Sequence, residues 1–225
     1  MNPSVPQSFI DEQYRRDPAS AAAEFRADIA SFFSREVVDA AVVPGRYELP
    51  SLADVSYMAF LDAAGGSGSD SMTLAIGHAV GDAAERRILD LVREWVPPFN
   101  PDDTCREAAA TLSAYGITAI RGDRYGGEWV AERFREHGIT YEPAEKFKND
   151  LYREFLPILN SGRGELLEHP RLIAQLCALE RRTARGGRES IDHPPNGHDD
   201  IANAVAGVLT LAGLEPSLLA WRGML

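Results

Sequence analysis

Apolar side chains recur at helical spacing in the first fifty residues of the chain. Within the segment ASAAAEFRADIASFFSREVVDAAV they fall on one helical face, at Phe25, Ile29, Phe32, Phe33 and Val37. Two prolines and a glycine in VVPGRYELPS then interrupt this pattern, which predicts a linker near residues 44–51. We therefore predict an N-terminal helical arm or linker over residues 1–50 and a separate domain over residues 51–225.

From Ser56 onward, strand-like apolar runs come first and then alternate with helical segments. SYMAFLDA, SMTLAIGHAV and RRILDLVREWV are predicted to be three successive strands. Short strands in ITAIRGD, ITYEPA and ESIDH then alternate with helices, the last of which runs over DDIANAVAGVLTLAG. Successive strands followed by such an alternation indicate an α/β domain with a mixed β-sheet flanked by helices.

Local signals predict where two of these helices begin, end or bend. Pro101 lies near the start of the first helix of the domain, with Asp102 or Asp103 as its cap and Gly116 as its stop. Pro157 predicts a kink or a boundary in the helical segment FKNDLYREFLPILNSG.

Composition places the chain among ordinary soluble globular proteins. It has 225 residues, of which 44% are hydrophobic and 25% charged. Its two cysteines, Cys105 and Cys177, lie far apart without metal-ligand spacing and are predicted to be reduced, packed thiols. The chain has no basic-then-apolar leader and no apolar run of membrane-spanning length, so we expect a cytosolic protein without a membrane partner.

A net charge of −11 argues against a nucleic-acid partner, since phosphate contacts need lysine and arginine. However, acidic residues can belong to a metal-binding cluster, and positive charge can be concentrated locally. Residues 171–188 carry five arginines against one acid, namely Arg171, Arg181, Arg182, Arg185 and Arg188 against Glu180. A solvated face explains such a run more often than a binding surface does.

Acidic residues stand at three places where predicted elements begin or end. Asp62 closes the first strand of the domain, Asp123 closes a later one, and the pair Asp199 and Asp200 opens the final helix. Carboxylates so placed can converge, and clustered negative charges need a cation, for which hard oxygen ligands favour Mg²⁺ or Mn²⁺. Two such ions about 3.5–4 Å apart can activate water and stabilise the leaving oxygen at a phosphodiester.

Each of these acids also has an ordinary structural explanation. Asp62 can form a turn before glycine, Asp123 can pair with a neighbouring arginine, and Asp199 can cap a helix. Their order along the elements favours a shared site. Asp70, across the glycine turn from Asp62, is either a fourth acid of that site or an ordinary turn residue.

The glycine-rich segment GGSGSDS after Asp62 is not predicted to bind a nucleotide. A dinucleotide-binding loop leads into a helix, whereas this segment leads into the strand-like MTLAIGHAV. No lysine occurs between Ser51 and Glu145, which excludes a Gly-Lys-Ser/Thr phosphate loop there. The segment is therefore predicted to be the turn of a hairpin.

Three longer segments resemble the nuclease domain of phage terminase large subunits, the DNA-packaging motors of tailed bacteriophages and prophages. They are FLDAAGGSGSDSMTLAIGH, GDRYGGEWVAERFREHGITYEPAEK and the run from DLYREFLPILNSG through ELLEHPRL to HDDIANAVAG. The resemblance covers residues 53–211. It implies that residues 51–225 are an RNase H-like nuclease domain. Such a domain is a metal-dependent endonuclease that cuts concatemeric double-stranded DNA in the cytoplasm of a bacterial host.

The resemblance also implies roles for individual residues. It assigns the family's catalytic, metal-binding acids to Asp62, Asp123 and the pair Asp199 and Asp200, with Asp200 favoured as the main ligand, and it implies two Mg²⁺ or Mn²⁺ ions. We expect His198 to be a cap or a surface group. Candidate contacts to the DNA backbone, for which plain solvent exposure is the alternative, are Arg124, Lys146, Lys148, Arg181, Arg182, Arg185 and Arg188.

The chain departs from a complete large subunit in having no Walker loop of an N-terminal ATPase. We therefore expect an excised nuclease domain, or the product of a truncated or split gene, that does not translocate DNA by itself. Its partners would be double-stranded DNA, the terminase ATPase domain, the small terminase subunit and the portal.

Two other functions stay open at this point. One is a catalytically silent module that docks on the portal or the small terminase subunit, which the acidic composition and the N-terminal arm would suit. The other is a different RNase H-like nuclease, such as a junction resolvase or an RNA–DNA hybrid nuclease. An intact set of acids favours a nuclease over a docking module, and substrate competition separates the two kinds of nuclease.

Overall fold

The structure, a computed structural model, describes residues 30–81, 85–124, 127–183 and 189–212. Within these ranges the chain forms nine strands and six helices. The strands are β1 Ala30–Ser31, β2 Tyr57–Asp62, β3 Met72–Val80, β4 Arg86–Trp95, β5 Ala119–Gly122, β6 Thr140–Pro143, β7 Gly164–Glu165, β8 Glu180–Thr183 and β9 Glu189–Asp192. The helices are α1 Arg35–Ala41, α2 Pro101–Ala114, α3 Gly127–Glu136, α4 Lys148–Asn160, α5 Pro170–Ala178 and α6 Asp200–Leu211.

Six strands form a mixed sheet in the order β6-β5-β2-β3-β4-β7. Strands β2, β3 and β4 are successively antiparallel, whereas the pairs β2–β5, β5–β6 and β4–β7 are parallel. Strands β2 and β3 pair from Tyr57 opposite His78 to Asp62 opposite Thr73, so the glycine-rich segment is the turn of a hairpin, as predicted. Strands β1, β8 and β9 form a second, three-stranded antiparallel sheet.

Helices cover both faces of the six-stranded sheet and create two hydrophobic cores. Helices α2 and α3 close one core, and helices α1, α4, α5 and α6 close the other. Strand β2 contributes to both, because successive strand residues face opposite sides of a sheet. Phe60 faces the core of α6, while Ala59 and Leu61 face the core of α2 and α3.

Helix α6 is buried on all sides. Every side chain from Asp200 to Leu211 is buried, although the sequence predicts only a stripe of apolar residues there. A helix that is apolar all round belongs in the interior of a protein, and α6 lies between the sheet and helices α4 and α5. Gly207 allows the helix to approach the sheet closely, because a Cβ at this position would overlap the ring of Phe60.

Two predicted helix signals are wrong in detail. Helix α2 is capped by Asn100, whose side chain accepts a hydrogen bond from the Asp102 amide at 2.9 Å, and not by an aspartate. Asp102 and Asp103 instead lie in the first turn, where they complement the helix dipole. At Pro157 the predicted boundary is wrong, since α4 continues through it to Asn160 with its apolar face buried in the core, and the alternative of a kink stays a prediction.

The described part of the predicted N-terminal arm is not one continuous helix. Phe25 and Ile29 lie outside the described residues, and the buried Phe32 and Phe33 lie between β1 and α1. The Phe32 amide donates to the Leu179 carbonyl at 2.7 Å, so this stretch pairs beside β8 before a helix begins. Helix α1 starts at Arg35 after the capping Ser34. The division of the chain near residue 50 stays a prediction.

Both cysteines are unpaired thiols, with Cys105 buried and Cys177 partly exposed. Burial raises the pKa of the Cys105 thiol to about 11, which keeps it protonated at neutral pH. No helix within the described ranges has both the length and the apolar content needed to cross a bilayer.

Candidate functional site

The carboxyl ends of two neighbouring parallel strands carry two of the predicted acids. Leu61 of β2 pairs with Gly122 of β5, so Asp62 and Asp123 leave the sheet side by side. The Asp123 amide donates to the Leu61 carbonyl at 3.2 Å, and the Tyr141 hydroxyl donates to the Asp123 carbonyl at 2.7 Å. Only glycine fits at position 122, because a Cβ there would overlap the Tyr141 hydroxyl and the Leu61 carbonyl.

The N-terminus of α6 lies over the same edge of the sheet. A carboxylate oxygen of Asp200 accepts a hydrogen bond from the Ser71 amide, just before β3, at 3.2 Å. One helical turn later, Asn203 Nδ2 donates to Asp62 Oδ2 at 2.9 Å. These two bonds join the helix to both strands of the hairpin and bring its first acid to the strand-end acids.

All five predicted acids line one cleft of about 620 Å³. They are Asp62, Asp70, Asp123, Asp199 and Asp200. The same cleft is lined by basic and polar side chains, among them Lys148, His193, His198 and Asn203, and by Phe147. The structure therefore brings together acids that are up to 138 positions apart in the chain, counted from Asp62 to Asp200.

Like charges converge on Asp62. Burial raises the pKa of its carboxyl well above the ordinary value, and the charges of Asp200, Asp123 and Asp199 raise it further. The hydrogen bond from Asn203 acts in the opposite direction but does not outweigh them. Such a site is suited to a bound cation, because a cation removes the repulsion that the carboxylates otherwise impose on one another.

Asp200 is in a similar environment. Burial raises the pKa of its carboxyl above the ordinary value, although the hydrogen bond from the Ser71 amide opposes this. The neighbouring charges of Asp70 and Asp199 raise the pKa as well. A nearby positive charge would therefore stabilise the ionised forms of both Asp200 and Asp62.

The Asp199 carboxylate already has such a partner in the protein. Asp199 occupies the N-cap position of α6, yet its side chain makes no capping hydrogen bond, so the capping explanation is wrong. Its Oδ2 instead accepts from the Tyr152 hydroxyl at 2.8 Å and lies 3.0 Å from Lys148 Nζ. Burial lowers the pKa of Lys148, but the charges of Asp199 and Asp192 outweigh this effect and raise it.

Lys148 also lies beside a second group of candidate metal ligands. Ligand atoms of Asp192, His193 and Asp199 all fall within 4.8 Å of one another. Lys148 Nζ is 3.3 Å from Asp192 Oδ1, so an ammonium group already balances two of these carboxylates. Asp192 and His193 are not among the predicted site residues, although they close the predicted strand ESIDH just as Asp123 closes its own.

Asp70 and His198 lie at the exposed rim of the cleft. The Asp70 side chain is 71% exposed and accepts from the Ser69 hydroxyl at 3.1 Å. His198 Nδ1 lies 3.7 Å from Asp70 Oδ1 and 4.0 Å from Asp200 Oδ2, which is longer than a hydrogen bond. Asp70 is therefore placed at the entrance of the cleft.

The basic residues predicted near the acids make contacts within the protein. Arg124 donates from Nε and Nη2 to the carbonyls of residues 144 and 145, at 2.7 and 2.6 Å. Lys146 pairs with Glu154 at 2.5 Å, and Lys148 pairs with the two aspartates described above. Arg121, the other arginine beside Asp123, lies 3.6 Å from Glu142.

The arginine-rich run is only partly described. The Arg181 guanidinium lies 5.1 Å from the centre of the Phe32 ring, and Arg182 pairs with Glu180 at 2.8 Å. Arg185 and Arg188 lie outside the described residues. A role for these arginines in DNA binding stays a prediction.

The fold and the cleft together define an RNase H-like α/β domain with an acidic cleft at the carboxyl edge of its sheet. Solved structures similar to this chain include phage large terminases and their nuclease domains. The large terminase nuclease from thermophilic phage G20c with bound magnesium has a TM-score of 0.68 and 17% identity, covering 82% of this chain and 98% of that one. The HK97 bacteriophage large terminase has a TM-score of 0.63 and 14% identity, covering 81% of this chain and 44% of that one.

A third neighbour is a variant of the nuclease domain of the large terminase subunit gp2 of bacterial virus Sf6, with manganese and beta-thujaplicinol. It has a TM-score of 0.58 and 11% identity and covers 80% of this chain and 98% of that one. No family model and no curated protein matches the sequence. The predicted RNase H-like fold and the structural likeness to large terminase nuclease domains are confirmed.

Proposed function

We propose that this chain is a metal-dependent endonuclease that cuts concatemeric double-stranded phage DNA during genome packaging. The observation that carries the proposal is the convergence of Asp62, Asp123, Asp199 and Asp200 in one cleft. Burial, and after it the charges of the neighbouring aspartates, raise the pKa of Asp62, and a divalent cation relieves the repulsion among these carboxylates. The likeness to large terminase nuclease domains supports a role in DNA packaging.

Two Mg²⁺ or Mn²⁺ ions fit the donor set that these residues offer. Asp62, Asp123 and Asp200 provide the hard carboxylate oxygens that such ions prefer, and Asp199 provides a further carboxylate beside them. When bound, the ions supply Lewis-acid stabilisation of the scissile phosphate and lower the pKa of the attacking water. The magnesium and manganese complexes of the neighbouring structures support this choice of metals.

The surrounding residues of this chain orient the carboxylates for that task. Asn203 holds one oxygen of Asp62 by a hydrogen bond and thereby restricts the orientation of this carboxylate. The Ser71 amide holds one oxygen of Asp200 in the same way. Lys148 balances the charge of Asp199 and presents an ammonium group on the wall of the cleft, where the DNA phosphate would lie.

The proposed setting is the cytoplasm of a bacterial host. This chain matches 44% of the length of the HK97 large terminase, which supports a function beside an ATPase domain, the small terminase subunit and the portal. In this arrangement residues 51–225 form the nuclease domain and residues 1–50 an arm. The other parts of the assembly supply most of the affinity for DNA, since the chain itself is acidic.

A plasmid-nicking assay tests the proposal. Purified protein is incubated with supercoiled DNA in Mg²⁺, Mn²⁺, Ca²⁺ or EDTA, alongside Asp62→Ala, Asp123→Ala and the control Asp39→Ala. We expect cutting in Mg²⁺ or Mn²⁺, none in EDTA, and none from the first two variants in any metal. Asp39 is exposed on α1 and pairs with Arg35 outside the cleft, so its variant should cut at the wild-type rate.

Wild-type cutting by folded Asp62→Ala, or undiminished cutting in EDTA, would contradict the proposal. Circular dichroism and thermal melting of each variant establish that a loss of cutting is not a loss of folding. Failure of the folded wild-type protein to cut in any metal would favour a docking module instead.

A further inference from the structure

An exposed aromatic side chain lines the acidic cleft. Phe147 leaves 56% of its surface exposed and lines the same cleft as Asp62 and Asp123. Among the described residues of that lining it is the only phenylalanine, tyrosine or tryptophan. Single exposed apolar side chains are common on protein surfaces, but this ring lies in the lining of the acidic cleft, where it offers an apolar face to a bound ligand.

The main chain of Phe147 is held in place by the start of α4. Its carbonyl accepts hydrogen bonds from the amides of Asp150 and Leu151, at 2.9 and 3.1 Å. The next helical residues, Leu151 and Tyr152, are buried in the core. Phe147 therefore projects into the cleft from a packed helix.

The Arg124 guanidinium covers one face of the Phe147 ring. Its Cζ atom lies 4.9 Å from the ring centre, within the range of a cation–π contact. Arg124 is itself held by two hydrogen bonds to the carbonyls of Ala144 and Glu145. The orientation of the ring is thus set by its own neighbours, and the exposed part of its surface is available to another planar group.

We infer that Phe147, supported by Arg124, is a stacking platform for an unpaired base next to the phosphodiester that is cut. This inference rests on the proposed endonuclease function. In a continuous duplex the bases stack on one another, so their faces are closed to protein side chains, whereas an unpaired base offers a flat π-face. The preferred substrate is therefore DNA that is locally unpaired at the cleavage site, with little dependence on which base is unpaired.

Binding of two oligonucleotide duplexes of the same length tests this inference. One is fully paired, and the other has a central bubble of three unpaired bases that includes 2-aminopurine. Fluorescence anisotropy in Ca²⁺ measures affinity, and 2-aminopurine fluorescence reports stacking of the unpaired base. We expect wild-type protein to prefer the bubble, and Phe147→Ala to weaken bubble binding about 5- to 100-fold with little effect on the paired duplex.

Three further variants sharpen the test. Phe147→Trp should retain bubble binding because it keeps an aromatic face, whereas Phe147→Leu, which is apolar without such a face, should lose it. Tyr47→Ala is the matched control, because Tyr47 is an aromatic residue with 67% exposure outside the lining of the cleft. It should bind both DNAs as the wild-type protein does.

The outcomes separate this inference from the proposed function. Equal bubble affinities of wild-type and Phe147→Ala protein, equal losses in the Trp and Leu variants, or no wild-type preference for the bubble would each overturn the stacking platform. The nicking assay would then still stand as the test of the endonuclease. Phe147-dependent bubble binding by a wild-type protein that cuts no DNA in Mg²⁺ or Mn²⁺ would instead overturn the endonuclease, and with it the placement of the base beside a cut phosphodiester, while Phe147 would remain a site that stacks an unpaired base.

Discussion

At Asp62 a partly buried carboxylate lies beside several others, and this has a cost for folding. Burial and the charges of Asp200, Asp123 and Asp199 hold the pKa of Asp62 above its ordinary value. The folded protein therefore binds this proton more tightly than the unfolded chain does. The stabilising contribution is complete below the unfolded pKa of about 3.9 and is lost as pH rises through the raised folded pKa. Ionisation of Asp62 in the metal-free protein therefore costs folding free energy.

Replacement of Asp62 by asparagine should relieve this repulsion and, if the proposed function is right, remove a metal ligand as well. We expect Asp62→Asn to raise the melting temperature of the metal-free protein at pH 7, by about 2–4 °C for each kcal/mol gained. The difference should shrink toward pH 4. We also expect Mg²⁺ to raise the melting temperature of the wild-type protein but not that of the variant. Differential scanning fluorimetry measures both effects, with Asp39→Asn as an exposed control.

A lower melting temperature of metal-free Asp62→Asn at pH 7, together with an unchanged response to Mg²⁺, would contradict this account. It would mean that the Asp62 carboxylate is stabilised by contacts within the protein and takes no part in metal binding.

Asn203 acts on the same carboxylate through its amide group. Its Nδ2 donates to Asp62, while its Oδ1 is buried without a hydrogen-bond partner among the described residues. A residue that orients a ligand typically contributes about 10- to 100-fold to metal affinity. We therefore expect Asn203→Ala to weaken Mg²⁺ binding by about that factor, as measured by titration calorimetry.

Thr210→Ala is the matched control for Asn203→Ala. Thr210 is also a buried polar residue of α6, but its hydroxyl bonds to the Gly207 carbonyl at the far end of the helix. Its loss should lower the free energy of unfolding without changing Mg²⁺ affinity. Equal Mg²⁺ affinities of Asn203→Ala and wild-type protein would show that Asp62 needs no orientation by the amide.

At the scale of elements, the site depends on how closely α6 approaches β2. Alanine is normally better than glycine in a helix by about 1 kcal/mol. At Gly207, however, a Cβ would overlap the Phe60 ring, and overpacking of a core costs about 1–3 kcal/mol. We expect Gly207→Ala to lower the free energy of unfolding in urea and to weaken metal binding, because the helix that carries Asp200 must shift away from Asp62.

A second substitution shows whether the ring is the cause. Phe60→Leu removes ring atoms that the new methyl group would meet, so Gly207→Ala should be less harmful in a Phe60→Leu background than in the wild-type protein. A gain in stability from Gly207→Ala alone would contradict the close approach of the helix and the strand.

The strand-end and helix-start acids could be predicted because strands, turns and caps leave local signals in the sequence. Asp62, Asp123 and Asp200 follow such signals directly. The surroundings of Asp199 could not be predicted, because Lys148 and Tyr152 come from a helix whose position depends on long-range packing. The two-residue strand β1 was missed for the same reason, since its structure depends on β8, about 150 positions away.

At the scale of the whole molecule, charge limits how tightly this chain can hold DNA. The net charge is −11, and the basic residues near the cleft are paired within the protein. The affinity of a DNA-binding protein falls with salt in proportion to the number of phosphates that its lysines and arginines contact. We therefore expect the DNA affinity of the isolated chain to depend only weakly on salt concentration, with a slope of log affinity against log salt of about −2 to −3.

Removal of the partner of Lys146 should change this slope. Lys146 pairs with Glu154 at 2.5 Å, and both side chains are exposed. Glu154→Gln should therefore strengthen binding to duplex DNA and steepen the slope by about one, because one more lysine becomes available to a phosphate. Glu132→Gln makes the same change in net charge on α3, where Glu132 lies 3.9 Å from Arg135, and should leave the slope nearly unchanged. Fluorescence anisotropy in Ca²⁺ between 50 and 200 mM KCl compares the two variants. An equal gain in both would mean that net charge alone, and not a contact beside the cleft, governs the binding of DNA.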